Sequence, residues 1–392
     1  MSLLSKTLLA VAITAGTAVA AAATYGHIQL PPESNAPALD LAPIVAEEHA
    51  ATIKAMQPPK RERPVVAVIG QNEGAEVTDF VVPYGVLARS GLADVIAVAP
   101  RDGAIKLTPA LSVAADASTA EFDRRFPDGA DYVIVPKIED AADPEVVAWI
   151  QEQSDKRAII VGICAGTKTL SAAGLFAGRK ATAHWYDIAK LREDNPSMTW
   201  VQDRRYVVDG NVVTTTGVSA SIPISLALVE AIGGRARANE LAAELGATNW
   251  DARHDSSAFY LDRTDFWVQL RNSAQIWAHE EIGIPVSDGV DEVSLALVAD
   301  VYSRTRQSIA VSLAEDLATV TTRAGLRLLP DYATEEANLD IVVDPIDDAT
   351  PLKALDIALN GIEARYDRET AAFIALQMEY AWSQPRDAGI SD

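Results

Sequence analysis

The stretch AIIVGICAGTKTLSAAGLFAGR, residues 158–179, decides how this chain reads. It opens with a continuous apolar run, Ala158 to Ile163, short and rich in β-branched residues, which predicts a strand buried on both faces. Gly162, Cys164, Ala165 and Gly166 follow as G-x-C-A-G, directly ahead of a helix of small residues. Small neighbours allow the sharp strand-to-helix turn that lifts a nucleophile out of a sheet. The N-terminus of the next helix adds unpaired N–H groups and a positive dipole end, both of which lower a thiol pKa. The pattern predicts a reactive Cys164, with the backbone N–H of Ala165 as an oxyanion donor. The bland alternative, a lone cysteine serving as a small hydrophobe, stays open on the residues alone.

Working outward, Val65–Ile69, Val95–Ala99 and Tyr132–Val135 are further short apolar runs, separated by helical spacing over Asp79–Ser90 and Pro144–Ser154. Apolar strands alternating with helices predict an α/β fold, a parallel sheet covered by helices on both faces. Before it, prolines at 31, 32, 37, 43, 58, 59 and 64 mark residues 25–63 as a linker, with one helix near Val45–Met56. Thr7 to Gln29 carries no Asp, Glu, Lys or Arg, and small-x-small sites such as Ala18-Val19-Ala20 suit a signal peptidase. Residues 1–24 therefore read as an export signal, either cleaved or retained as a membrane anchor. The expected location is the periplasm or cell envelope.

The chain has 392 residues, 49% of them hydrophobic, enough for two packed domains. Its formal net charge of −22 disfavours a nucleic-acid partner, which needs a concentrated basic face. One cysteine excludes an intrachain disulfide. His27, His49, His254 and His279 lack ligand spacing, so no metal site is expected, and no phosphate loop or other cofactor motif is present.

Sliding the chain against itself shows an echo. Residues 69–90 resemble residues 284–305, with Gly74 matching Gly289 and Arg89 matching Arg304. Leu111–Asp116 then pairs with Leu326–Asp331, and Asp131–Pro136 with Asp340–Pro345. This predicts a second, smaller α/β domain at 276–384, a degenerate half-copy of the first with no counterpart of the cysteine turn. A connecting segment at 237–275 and a tail at 385–392 complete the division. The short basic pair Arg235 and Arg237 receives no function.

Three motifs in order resemble the ThiJ/PfpI superfamily, the class I glutamine-amidotransferase-like group that includes PfpI-type proteases, deglycases and isonitrile hydratases. They are the G-I-C-A-G elbow, the run Lys180-Ala-Thr-Ala-His184-Trp185, and Gly74-Ala-Glu76-x-x-Asp79-x-x-x-Pro83. Residues 207–233 look like the family's closing hairpin and last helix. The resemblance covers 64–236 and implies a flavodoxin-like sheet, a small-molecule substrate and a homodimer. It places Glu76 where deglycases hold the glutamate that hydrogen-bonds the cysteine, Asp79 where isonitrile hydratases hold their aspartate, and His184 as general base or imidazolium partner.

One departure matters. The family follows its third strand with a Gly-Gly pair, whereas this chain has Lys137-Ile-Glu-Asp140, which removes half of the expected oxyanion hole and offers Lys137 as a cation instead. The function expected is a cysteine-dependent hydrolase, hydratase or deglycase-type enzyme. The alternative is a ligand-binding or redox-sensing module without turnover. The acidic C-terminal part, with Asp344-Pro-Ile-Asp-Asp348, gives no support to a DNA-binding region.

Overall fold

The computed structural model describes residues 41, 43–259, 268, 271–272, 279–346 and 349–382. The proposed export signal at 1–24 and the tail at 385–392 lie outside the described residues. After helix α1 (Ala46–Ala55), the chain enters a sheet through β1 (Val65–Ile69), whose five residues are all buried. Next come α2 (Val77–Arg89), β2 (Asp94–Ala99), the short β3 (Ala117–Ser118), β4 (Tyr132–Val135), α3 (Pro144–Asp155) and β5 (Ile159–Gly162). After α4 (Thr167–Ala172), the hairpin β6 (Tyr206–Asp209) and β7 (Val212–Thr215) closes the sheet, and α5 (Ser221–Gly233) follows. The order is β6-β7-β5-β4-β1-β2-β3, parallel throughout except for the β6–β7 hairpin. The expected doubly covered parallel sheet is thus present, and its central strands β1, β4 and β5 are buried throughout because helices leave neither face to water.

The segment expected to be a plain connection begins with a helix, α6 (Arg235–Leu245), packed on α5. Arg237 donates to the carbonyls of Arg89 and Ser90 and so caps the C-terminus of α2, while Arg235 pairs with Glu230.

Beyond it, β8 (Glu280–Pro285), α7 (Glu292–Arg304), β9 (Ser308–Ala314), β10 (Tyr332–Ala333) and β11 (Ile341–Val342) form a second parallel sheet in the order β10-β9-β8-β11. Helices α8 (Pro351–Arg365) and α9 (Arg368–Gln377) follow.

The two parts are joined closely. Leu328 pairs with Val113, its counterpart in the sequence echo, within a small mixed sheet that draws strands from both parts. Helix α7 packs on α2, and each end of the pair is tied by charge. Arg89, in the last turn of α2, meets Asp291 and Glu292 at the start of α7. Arg304, in the last turn of α7, meets Glu76 at the start of α2. Glu76 and Asp291 both cap their helices by accepting a backbone N–H three residues on. Cations at helix C-termini and anions at N-termini also suit the helix dipoles. Among the described residues, no helix is long and apolar enough to cross a membrane.

Candidate functional site

The elbow is built as its glycines demand. Strand β5 stops at Gly162, a single 3₁₀ turn spans Cys164–Gly166, and α4 begins at once. Cys164 has φ +52°, a left-handed conformation that costs an L-residue energy and marks a held geometry. Its N–H donates to Thr215 Oγ1 (3.1 Å) on β7, and Thr167 Oγ1 donates to its carbonyl (2.8 Å). A Cβ on Gly166 would overlap the Val135 carbonyl oxygen, so only glycine lets α4 start this close to β4. Half-buried Ala165 occupies the turn beside the thiol.

The electrostatics differ from the sequence expectation. Burial, together with the Asp79, Glu76 and Glu379 carboxylates, pushes the Cys164 thiol well above its ordinary range, against the pull of Arg304. Helix α4 has only six residues, so its dipole is weak beside these charges.

Glu76 is the N-cap of α2. Its Oε2 accepts from the Asp79 N–H (2.6 Å) and Thr78 Oγ1 (2.8 Å), while Oε1 accepts from Arg304 Nη2 (2.7 Å). Asp79 is fully buried; Oδ2 accepts from the Lys137 N–H (3.2 Å) and Oδ1 has no hydrogen-bond partner. Burial and the neighbouring Glu76 push its pKa well above the usual carboxylate range.

Arg304 also donates from Nε to Asp300 Oδ1 (2.7 Å), and burial pushes Asp300 up to about 8 against the Arg304 charge. Arg304 and Asp300 were not singled out from the sequence. The match of Arg304 to Arg89 was the available signal, because Arg89 stands beside an acidic helix start.

Residues Lys137–Asp140 do not face an open site. Glu76 N–H donates to the Lys137 carbonyl (2.8 Å), Glu139 N–H donates to the Gly74 carbonyl (3.0 Å), and Ile138 bridges Ala75. The cation that acts on the thiol is Arg304, while Lys137 contributes its backbone N–H to Asp79.

His184 is half-buried with both ring nitrogens engaged. The Tyr186 N–H donates to Nδ1 (3.3 Å), which leaves Nε2 to donate to the Gln377 carbonyl (3.1 Å). Next to it lies Glu379, just past α9, with φ +53° and a side chain that is 0% exposed. Glu379 Oε1 accepts from the Trp185 N–H (3.2 Å) and lies 3.9 Å from His184 Nε2; Oε2 lies 3.2 Å from His254 Nε2.

Burial pushes the Glu379 carboxyl up, but the two imidazoles and the Gly217 N–H outweigh it and hold the pKa below the ordinary glutamate value. Gly217 makes room, since a Cβ there would come within 2.7 Å of Glu379 Cγ. On the far side, Glu379, His254 and Arg205 line a cavity of about 870 Å³ that does not reach Cys164. His254, read from the sequence as a scattered histidine, is therefore part of this neighbourhood. No local motif marked it or Glu379, because they are brought in from 90 and more residues away in the chain.

Among the described residues, no group of three or more His, Cys, Asp or Glu side chains is arranged to hold a metal ion. What the arrangement offers is a thiol on a left-handed residue, a fully buried carboxyl with an unpartnered oxygen, and carboxylates shared with one guanidinium.

Residues 65–231 match the model of the DJ-1/PfpI family. The chain is 34% identical over 89 residues to the HTH-type transcriptional regulator CdhR of Pseudomonas aeruginosa, spanning 26% of that protein. It is 33% identical over 94 residues to the isonitrile hydratase of Pseudomonas putida, spanning 39% of it. Over 178 residues, 44% of this chain and 92% of the relative, it is 26% identical to the Parkinson disease protein 7 homolog of Danio rerio. The crystal structure of DJ-1beta from Drosophila melanogaster superposes with a TM-score of 0.43 at 24% identity, covering 48% of this chain and all of the other. With its elbow, acid motif and closing hairpin in the family's order, the segment 65–231 matches the DJ-1/PfpI family, which supports the ThiJ/PfpI superfamily for that part of the chain.

Proposed function

We propose that the chain is a cysteine-dependent enzyme acting on a small carbon–nitrogen or carbonyl compound, with Cys164 as nucleophile and Asp79 as proton donor. The observation that carries this reading is the left-handed Cys164 in the same site as Asp79, a fully buried carboxyl with an unpartnered oxygen whose pKa burial pushes up. On an isonitrile, the Cys164 sulfur bonds to the terminal carbon, Asp79 protonates that carbon, and the thiol proton passes to Glu76. Water then adds to the resulting thioimidate, the C–S bond breaks, and a formamide leaves as the thiol is restored. On a carbonyl, the same bond forms and the oxygen takes the Asp79 proton. The isonitrile hydratase relative supports the carbon–nitrogen branch of this reading.

The second part of the chain is read as a built-in partner, a degenerate half-copy docked where a second subunit would sit. The reciprocal Arg89 and Arg304 pairs support it. Export through residues 1–24 belongs to the same proposal.

A second reading, a thiol sensor or ligand-binding module without turnover, is favoured by one observation: Cys164 is only 8% exposed. Two measurements separate them. Purified full-length chain and Cys164→Ala are assayed on isonitriles, methylglyoxal and simple amides. Turnover lost in the variant supports the enzyme; turnover unchanged by the substitution refutes it. Selective oxidation of Cys164 under mild peroxide, with no turnover of any substrate, supports the sensor.

A further inference from the structure

Glu379 is an odd occupant for the place it holds. Its backbone is in the left-handed region, its side chain is sealed from water, and Oε2 lacks a well-formed hydrogen bond. A carboxylate so deeply desolvated costs free energy unless something receives it. The receiving groups here suit an anion: the Trp185 N–H, the Gly217 N–H, the His254 imidazole 3.2 Å away, and the room left by the absent side chain of Gly217.

The segment around Glu379 is held from outside. Ser219 N–H donates to the Met378 carbonyl (2.9 Å), Ser219 Oγ to the Glu379 carbonyl (2.6 Å), and His184 to the Gln377 carbonyl. Glu379 stands between two regions: it packs on Gly217, two residues from the Thr215 whose Oγ1 receives the Cys164 N–H, and it lines the 870 Å³ cavity that Cys164 does not reach, while its carboxylate pushes the thiol pKa up. In this position it opposes thiolate formation. The same cavity wall carries Arg205, a guanidinium in a strongly acidic chain.

We propose that the pocket holding Glu379 is the subsite for a carboxylate on the small-molecule substrate, and that the chain's own C-terminal segment fills it until the substrate displaces it. The proposal rests on Cys164 being the nucleophile, and it adds the substrate class: a small electrophile that carries a carboxylate within a few bonds of the reacting carbon. Entry is from the cavity side, with Glu379 swinging out and the substrate carboxylate taking over the Trp185 N–H, the Gly217 N–H and the His254 imidazole.

Iodoacetate and iodoacetamide test this directly, being one electrophile with and without the carboxylate. In each case the Cys164 sulfur bonds to the CH₂ carbon, iodide leaves and the thiol proton goes to buffer. Labelling at Cys164 is followed by intact mass and peptide mapping in the full chain, in Glu379→Ala, and in Glu379→Gln, which keeps the side-chain volume should the alanine variant fold poorly.

The wild type is expected to label slowly with both reagents. Either variant should gain more with iodoacetate than with iodoacetamide, by tenfold or more in the alanine variant. Acetate should compete, and adding His254→Gln should remove the preference. Equal gains with both reagents, or slower labelling with iodoacetate, overturn the carboxylate subsite while leaving a reactive Cys164 intact. A thiol inert to both reagents in every folded variant overturns the nucleophile reading and this proposal with it.

Discussion

Replacing Arg304 by Met removes the one guanidinium shared by Glu76 and Asp300, whose side chains are 6% and 0% exposed. Breaking a buried pair by deleting one partner costs about 3–5 kcal/mol, because the other charge stays desolvated. The cost has a ceiling, since an orphaned carboxylate can take up a proton instead. Neutralising an ordinary glutamate at pH 7 costs roughly 3–4 kcal/mol at 1.36 kcal/mol per pKa unit. The two routes agree, so Arg304→Met should lose about 3–4 kcal/mol at pH 7.

Near pH 5 most of that proton is already available, and the loss should shrink to about 1 kcal/mol. Urea unfolding of both proteins at the two pH values measures this. The double variant Arg304→Met with Asp300→Leu should recover part of the loss, since an apolar residue replaces a buried carboxyl left without its hydrogen-bond partner. A loss below about 1 kcal/mol at pH 7, as at an exposed pair, or an equal loss at both pH values, would refute the reasoning that α7 supplies a structural cation to the site.

Three further outcomes follow from the geometry. Asp300 has its pKa raised to about 8 in the folded chain, so the fold binds an extra proton between the unfolded carboxylate range near pH 4 and pH 8. That contribution is fully present below about pH 4 and is lost as pH rises through 8. Thermal melts should show wild-type stability falling over this window and Asp300→Asn falling less. Gly217→Ala places a Cβ within 2.7 Å of Glu379 Cγ, so it should lower stability by about 1–3 kcal/mol and speed iodoacetamide labelling of Cys164. Unchanged labelling would mean that Glu379 does not guard the thiol. Gly166→Ala meets the Val135 carbonyl, which the sheet holds rigidly, and should cost more than about 4 kcal/mol or abolish soluble expression. Far-UV circular dichroism of any soluble fraction checks it.

The sheet was readable because its strands are the simplest kind. Val65–Ile69 and Tyr132–Val135 begin and end where their apolar runs do, since burial on both faces leaves no polar residue to blur the boundary. The elbow was readable because glycine on both flanks of Cys164 has few other uses. The site's charge balance was not readable. A local reading saw a thiol over a helix N-terminus and expected an acidified sulfur, whereas burial first, and then the Asp79, Glu76 and Glu379 carboxylates, push its pKa up.

Glu379 and His254 come from segments with no motif, and only tertiary packing brings them beside His184. Arg304 lay between these cases. Its match to Arg89 was visible, but the echo does not say that each arginine reaches the acidic helix start of the other copy. That requires the antiparallel contact of α2 and α7.

The most direct test of Cys164 as the reacting atom is to quench the full chain during exposure to an isonitrile or to methylglyoxal and measure its intact mass. The account predicts a substrate-sized adduct that maps to Cys164, decays as product appears, and is absent from Cys164→Ala. Product formed at the wild-type rate by Cys164→Ala, with no adduct on Cys164 at any time in the wild type, would contradict it.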